Sequence, residues 1–230
     1  MPPRLTGARA VVFDAYGTLL DFASAAQGAR DALGDQWQPL SDLWRRKQLE
    51  YSWLRSLMGV HADFWAVTGD ALDHALDALK LTDAGLRQRL MDAYARLDGY
   101  PDAAPALEAL RKAGLKTAIL SNGTPRMLAQ AVRSARLDGL LDQVLSVEEV
   151  GVYKPHPSVY RLAVDKLGLW PAELVFVSAN GWDVHGAKVA GLRVAWCNRS
   201  GQPRERLPEA PDAVVASLAE LPALVGAGDD

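Results

Sequence analysis

Cysteine is nearly missing from this sequence: Cys197 is the single one in 230 residues. One thiol excludes an internal disulfide and any multi-cysteine zinc site. Histidine is scarce too, with four residues. His61 and His74 have no spacing suited to a metal pair, while His156 and His185 suit loop or cap roles. An excess of positive charge is also lacking. The 25 Lys and Arg residues stand against 28 Asp and Glu, for a net charge of −3. Nucleic-acid and membrane-surface proteins usually show a basic excess or patch, so neither partner is expected. No apolar run approaches the roughly 20 residues of a membrane span. The first such run, residues 10–13, stops at Asp14, too short for a secretory signal. The reading is therefore a cytoplasmic protein, in which the Asn122 and Asn198 glycosylation patterns are chance matches. Internal repeats and low-complexity linkers are absent as well.

What is present is an alternation of short apolar runs and longer helical patterns. Residues 10–13, 117–120, 144–147, 174–177 and 194–197 read as strands. Several lack polar alternation, as strands buried on both faces do. Helical patterns follow at 103–113, 125–135, 158–167 and 184–190, and Gly114, Gly168 and Gly191 supply stop signals. Strand–helix alternation predicts a parallel sheet covered on both faces. Residues 22–98 break the rhythm with helical patterns at 40–58, 60–79 and 84–97. Leu40, Leu43, Trp44, Leu54 and Leu57 recur at helical spacing, and Trp37, Trp44, Trp53 and Trp65 suggest a packed bundle. The expected fold class is α/β, a Rossmann-like parallel-sheet core of residues 1–21 and 99–230 with an inserted all-helical cap subdomain, 22–98.

Small polar residues collect after four of the strands: Asp14-Ala15-Tyr16-Gly17-Thr18, Ser121-Asn122-Gly123 and Ser178-Ala179-Asn180-Gly181-Trp182-Asp183 directly, and Tyr153-Lys154-Pro155 a few residues beyond the third. Ligands of open parallel sheets bind beyond the carboxyl ends of the strands, so these four segments should converge on one site.

The run Val12-Phe13-Asp14-Ala15-Tyr16-Gly17-Thr18-Leu19 resembles the first motif of the haloacid dehalogenase superfamily. Ser121-Asn122-Gly123 is similar to its second and Lys154-Pro155 to its third. The fourth, residues 178–183, and the cap segment 43–51 resemble the L-2-haloacid dehalogenase branch. The phosphatases of the superfamily carry a second Asp two positions after the nucleophile, to protonate an alkoxide leaving group. Here that position is Tyr16, and a halide leaving group needs no proton. Asp183 is also the one acid of the fourth motif, little charge for a hard cation. The resemblance thus implies hydrolysis of short L-2-haloacids to D-2-hydroxy acids, with no metal and no cofactor.

It also implies roles. Asp14 is the carboxylate nucleophile. Arg45 and Asn122 receive the halide, and Ser121, Asn122 and Lys154 hold the substrate carboxylate and orient Asp14. Thr18, Tyr160, Ser178, Asn180 and Asp183 position the nucleophile and the hydrolytic water, with Asp183 favoured as the group that activates it. Tyr16, Leu49, Phe64 and Trp182 line an apolar pocket. Arg46 stands where close relatives would carry Gln, which leaves pocket polarity and substrate range open. Implied partners are the haloacid, its halide product and a second copy of the chain in a homodimer. The alternatives are a Mg-dependent phosphatase, a receiver-like phosphoacceptor domain that is not an enzyme, and the same chemistry at another carbon centre, such as a fluorinated acid.

Overall fold

The computed structural model describes residues 5–27 and 30–227. In chain order these form β1 (Ala10–Phe13), α1 (Ser24–Gln27), α2 (Arg30–Leu33), α3 (Trp37–Met58), α4 (Phe64–Ala78), α5 (Leu86–Tyr94), α6 (Ala103–Lys112), β2 (Lys116–Ser121), α7 (Pro125–Ser134), β3 (Gln143–Ser146), α8 (Pro157–Leu167), β4 (Leu174–Ser178), α9 (Gly181–Val189), β5 (Arg193–Cys197), β6 (Ala213–Val215) and α10 (Leu221–Leu224). Among the described residues no helix is long and apolar enough to cross a membrane.

All six strands are parallel, in the order β3-β2-β1-β4-β5-β6. The α/β class expected from the alternation is the one observed. β1 is buried throughout and lies between β2 and β4. Strand order reverses between β1 and β4, the point at which open sheets of this type bind ligands. Asp14 and Ser178 are the residues at the carboxyl ends of those two strands.

Local signals set most helix ends. Gly59, at φ 67°, ends α3 and donates its N–H to the carbonyls of Arg55 and Ser56. The Asp63 side chain accepts from Ala66 N at 2.9 Å. That cap starts α4 at Phe64, four residues later than the apolar pattern beginning at residue 60 implied. Thr124 caps α7 in the same way, and such caps contribute about 1 kcal/mol each.

Helices α1 to α5 all lie in the chain between β1 and α6. Within this block α4 packs along α3, and both α3 and α5 pack against α1. Trp44 is fully buried there and its indole N–H donates to Thr68 O at 2.9 Å. Its ring meets Tyr94 and Phe22, and Tyr94 stacks on Tyr16 from the core loop. The other expected bundle positions divide. Leu40 is buried, but Leu54 and Leu57 are 43% and 84% exposed, because the buried stripe of α3 runs through Leu40, Trp44, Gln48 and Ser52 and leaves both on its far side. Trp65 is exposed as well.

Candidate active site

The four polar segments do meet at the carboxyl ends of β1, β2 and β4. Asp14 continues β1 by one residue, donating its N–H to Val177 O at 2.9 Å. Its side chain is 9% exposed. Lys154 Nζ donates to Asp14 Oδ1 at 3.1 Å. Asp14 Oδ2 accepts from Asn180 Nδ2 at 2.7 Å, Thr18 Oγ1 at 3.3 Å and Ser178 Oγ at 3.5 Å. Proton counting explains why both hydroxyls face the carboxylate. Thr18 Oγ1 already accepts from Ala179 N and Ser178 Oγ from Asn180 N, so each has its own proton left to give.

Lys154 is 1% exposed and lies between two acids, its second being Asp183 Oδ2 at 3.0 Å. Its backbone N–H is held by Asn122 Oδ1 at 3.1 Å. Asp183 is fully buried and accepts from Tyr160 Oη at 2.7 Å on its other oxygen. Burial pushes its carboxyl up to about 6; Lys154 pulls against that and the charge of Asp14 adds to it. Gly186 makes this approach possible. A Cβ there would stand 2.6 Å from Tyr160 Oη and 2.5 Å from Pro155 Cβ.

Arg45 reaches the site from α3. Its Nη1 donates to Gln48 Oε1 at 2.8 Å and its Nη2 to Asn180 Oδ1 at 3.4 Å, and the guanidinium lies 5.1 Å from the Phe22 ring centroid. Its amide neighbour in the site is therefore Asn180, whereas Asn122 is engaged with Lys154. Tyr16 is buried, with its ring near Phe64 and Tyr94. Burial first, then Tyr94 and Asp14, holds its hydroxyl far above the ordinary range. Gly123 leaves room for it, since a Cβ there would be 2.8 Å from Tyr16 Oη. Trp182 is half-buried against the edge of Trp53, and Phe64 is buried between Tyr16 and Tyr153. Leu49 is half-buried. Ser121 is buried and accepts from Gly123 N at 3.2 Å.

The Arg46 side chain is exposed on α3. His156 caps α8 as expected, but His185 takes neither a loop nor a cap role: it lies buried inside α9, where its Nδ1 faces Pro208 O at 2.7 Å. Cys197 is buried.

Three contributors had no sequence signal of their own. Gln48, fully buried, is one. Arg199 is another: it pairs with Asp102 through both terminal nitrogens at 2.6 and 2.9 Å and donates to Thr18 O at 2.9 Å, bracing the loop that carries Asp14. Phe22, beneath Arg45, is the third. Only the i, i+3 offset of Gln48 from Arg45 could have hinted at a partnership. Two cavities open elsewhere, one of about 360 Å³ beside Arg9 and Lys116, the other of about 680 Å³ between Trp65 and Arg126; Asp14 lines neither.

The haloacid dehalogenase-like hydrolase family model matches residues 8–191. The (S)-2-haloacid dehalogenase 1 of Pseudomonas sp. strain CBS-3 is 48% identical over 94% of this chain and 96% of its own. The (S)-2-haloacid dehalogenase 4A of Burkholderia cepacia is 50% identical over 86% of each. Among solved structures, the L-2-haloacid dehalogenase from Xanthobacter autotrophicus with chloropropionic acid covalently bound superposes with a TM-score of 0.89, at 44% identity, covering 97% of this chain and all of that one.

The chain belongs to the haloacid dehalogenase-like hydrolases, in their L-2-haloacid dehalogenase branch. The likeness to these L-2-haloacid dehalogenases spans the helical block as well as the sheet. It thus includes α3, the element that brings Arg45 to a carboxylate 31 positions earlier in the chain. Among the described residues no group of three or more His, Cys, Asp or Glu is arranged to hold a metal ion. The cation that touches both buried acids is Lys154.

Proposed function

We propose that this enzyme, a hydrolase acting on carbon–halide bonds, converts short L-2-haloacids to D-2-hydroxy acids through an ester formed on Asp14. The observation that carries this reading is the unequal treatment of the two Asp14 oxygens. Oδ1 has one partner, Lys154, and Oδ2 has three donors. In our reading Oδ1 attacks C2 of the substrate from the side opposite the halogen. The C–halogen bond breaks, halide leaves with the electron pair, and C2 inverts. Oδ2 is then the ester carbonyl oxygen. Water adds to the Asp14 carbonyl carbon and gives up its proton, with Asp183 as the acceptor. The oxyanion formed on Oδ2 meets Asn180, Thr18 and Ser178, donors already aimed at it. Collapse breaks the bond between the Asp14 carbonyl carbon and Oδ1, the proton held by Asp183 passes to the departing alkoxide oxygen, and the regenerated Asp14 carboxyl releases the second proton of the water. The hydroxy acid therefore departs with an oxygen that belonged to Asp14, and the oxygen of water stays in the carboxylate.

The remaining roles follow from charge. Arg45, with its guanidinium at Asn180, receives the halide, assisted by Asn122 as the family resemblance implies. Ser121, Asn122 and Lys154 hold the substrate carboxylate. Tyr16, Leu49, Phe64 and Trp182 keep bulk water out. Residues 22–98 act as a cap on the core of 1–21 and 99–230. Tyr16 argues against the phosphatase reading: a buried phenol held far above its usual range is a poor acid for an alkoxide. No metal is needed for any of these steps.

The test is a single turnover of 2-chloropropionate in heavy-oxygen water, with enzyme in excess and chelator present. Label should enter the Asp14 side chain, while first-turnover lactate stays unlabelled and of D configuration. Label in the first-turnover product would overturn the ester intermediate, and loss of halide release in chelator would overturn the metal-free reading.

A further inference from the structure

We infer that Gln48 is a positioning residue: it pins Arg45 toward the reacting centre through a neutral oxygen and so keeps the full positive charge available to the departing halide. This rests on the proposed role of Arg45 as halide acceptor.

The orientation of the Gln48 amide follows from proton bookkeeping. Thr68 Oγ1 donates its proton to Phe64 O at 2.6 Å, so toward Gln48 it can only accept. The Gln48 NH2 group must therefore be the end that faces Thr68 Oγ1, at 2.7 Å, and Tyr94 Oη, at 2.9 Å. That leaves Oε1 for Arg45 Nη1, at 2.8 Å. The second amide is fixed by the same logic. Asn180 Nδ2 donates to Asp14 Oδ2 and to Tyr16 O, both acceptors, which turns Asn180 Oδ1 to Arg45 Nη2. The guanidinium is thus held by two amide oxygens and the face of Phe22. Among the described residues no carboxylate pairs with it. The contrast with Lys154 is direct: that cation is shared between two carboxylates, while Arg45 is immobilised without being neutralised. Gln48 is fully buried and every one of its polar atoms is engaged, so the arrangement is rigid.

A substitution that merely disturbs packing and one that cancels charge have opposite rank orders here. Glu is nearly isosteric with Gln, yet as a carboxylate it would form an ion pair with Arg45. Met keeps the length, removes the acceptor and leaves the charge intact. We expect inhibition by the bromide product to weaken about tenfold or more in Gln48→Glu and by a smaller factor in Gln48→Met, in the range of one charge-assisted hydrogen bond. kcat should fall in the same order. If Gln48 is only a core side chain, Gln48→Met is the worse variant and Gln48→Glu is close to wild type; that outcome overturns the proposal. Melting temperatures of both variants accompany the kinetics. Should Gln48→Glu fail to fold, Gln48→Met alone decides: weaker bromide inhibition supports the pinning, unchanged inhibition overturns it. Arg45→Ala is measured alongside. If it retains full turnover, the halide role of Arg45 is wrong, a failure separate from wild-type bromide inhibition in the Gln48 variants with Arg45→Ala inactive.

Discussion

Lys154→Met is the perturbation whose outcome the structure fixes most tightly. The ammonium is 3.1 Å from Asp14 Oδ1, 3.0 Å from Asp183 Oδ2 and 4.8 Å from the centroid of Phe176. Methionine replaces the apolar stem and its contact with Phe176 but removes the charge. Two nearly buried carboxylates would then face each other without a cation. Breaking a buried pair in this way costs about 3–5 kcal/mol, because the partner's charge stays behind. In a chain of this size that corresponds to a fall in Tm of roughly 10 °C. The cost depends on pH, with a definite sign. Loss of Lys154 raises the native-state affinity of the carboxylate pair for a proton above that of the unfolded chain. A carboxyl whose folded pKa is raised makes the protein lose stability as pH rises through that pKa, and the loss is complete above it. Urea denaturation of both proteins at about pH 5 and about pH 8 should therefore show the smaller deficit at the acid pH, where one proton can be shared between the acids. A deficit below about 1 kcal/mol, or one equal at both pH values, would refute the account of Lys154 as the shared counter-ion. It would make the residue a packing element against Phe176.

Two further predictions address the water-activating side. Asp183 must be ionised to accept a proton, and its carboxyl is pushed up to about 6 by burial and in part by the charge of Asp14, which is gone in the ester, so kcat should rise with pH along an acid limb at or below that value. Asp183→Asn should remove this limb and lower kcat by about a hundredfold or more, and a wild-type rate in that variant would exclude the role. Gly186→Ala tests the close approach of Tyr160. Within a helix Ala is ordinarily better than Gly by about 1 kcal/mol, but here its Cβ would stand 2.5 Å from Pro155 Cβ and 2.6 Å from Tyr160 Oη. Overpacking should win, costing about 1–3 kcal/mol and lowering kcat through a displaced Tyr160–Asp183 contact. A stabilised, fully active variant would contradict it.

The sheet and the site differed in how much of them a linear reading could reach. Four strands were legible because their runs are buried on both faces and so appear as nearly continuous apolar stretches; β3 was legible too, although Gln143 and Val144 are exposed and Val147 lies just past its end. β6 was not. It is a three-residue edge strand with Val214 57% exposed, and it follows a stretch, residues 200–209, that is exposed throughout. The exposed Leu54 and Leu57 show the limit of helical periodicity: apolar residues at helical spacing can still fall off the covered face, as these two do opposite the buried Trp44, Gln48 and Ser52. In the site, Asp14, Lys154, Ser178, Asn180 and Asp183 were readable because they follow strand ends, where topology alone makes them converge. Gln48 and Arg199 were not, since each acts through a neighbour and sits in no strand-end motif. Adjacent positions on a helix point about a quarter-turn or more apart, so Arg45 can enter the site while its neighbour Arg46 is exposed.

The central position of β1 has a consequence for how the protein comes into being. The acid at its end is made early, as residue 14, but its partners Lys154, Ser178 and Asn180 lie 140, 164 and 166 positions further on. Until β4 and the start of α9 have been synthesised and docked, the nascent chain has a carboxylate but no cation and, apart from Thr18, no side-chain donors around it. Such distant closures come late in folding. A growing polypeptide therefore lacks this assembled site for the greater part of its synthesis, and Asp14 gains its cation and donors only when most of the chain that will surround it already exists.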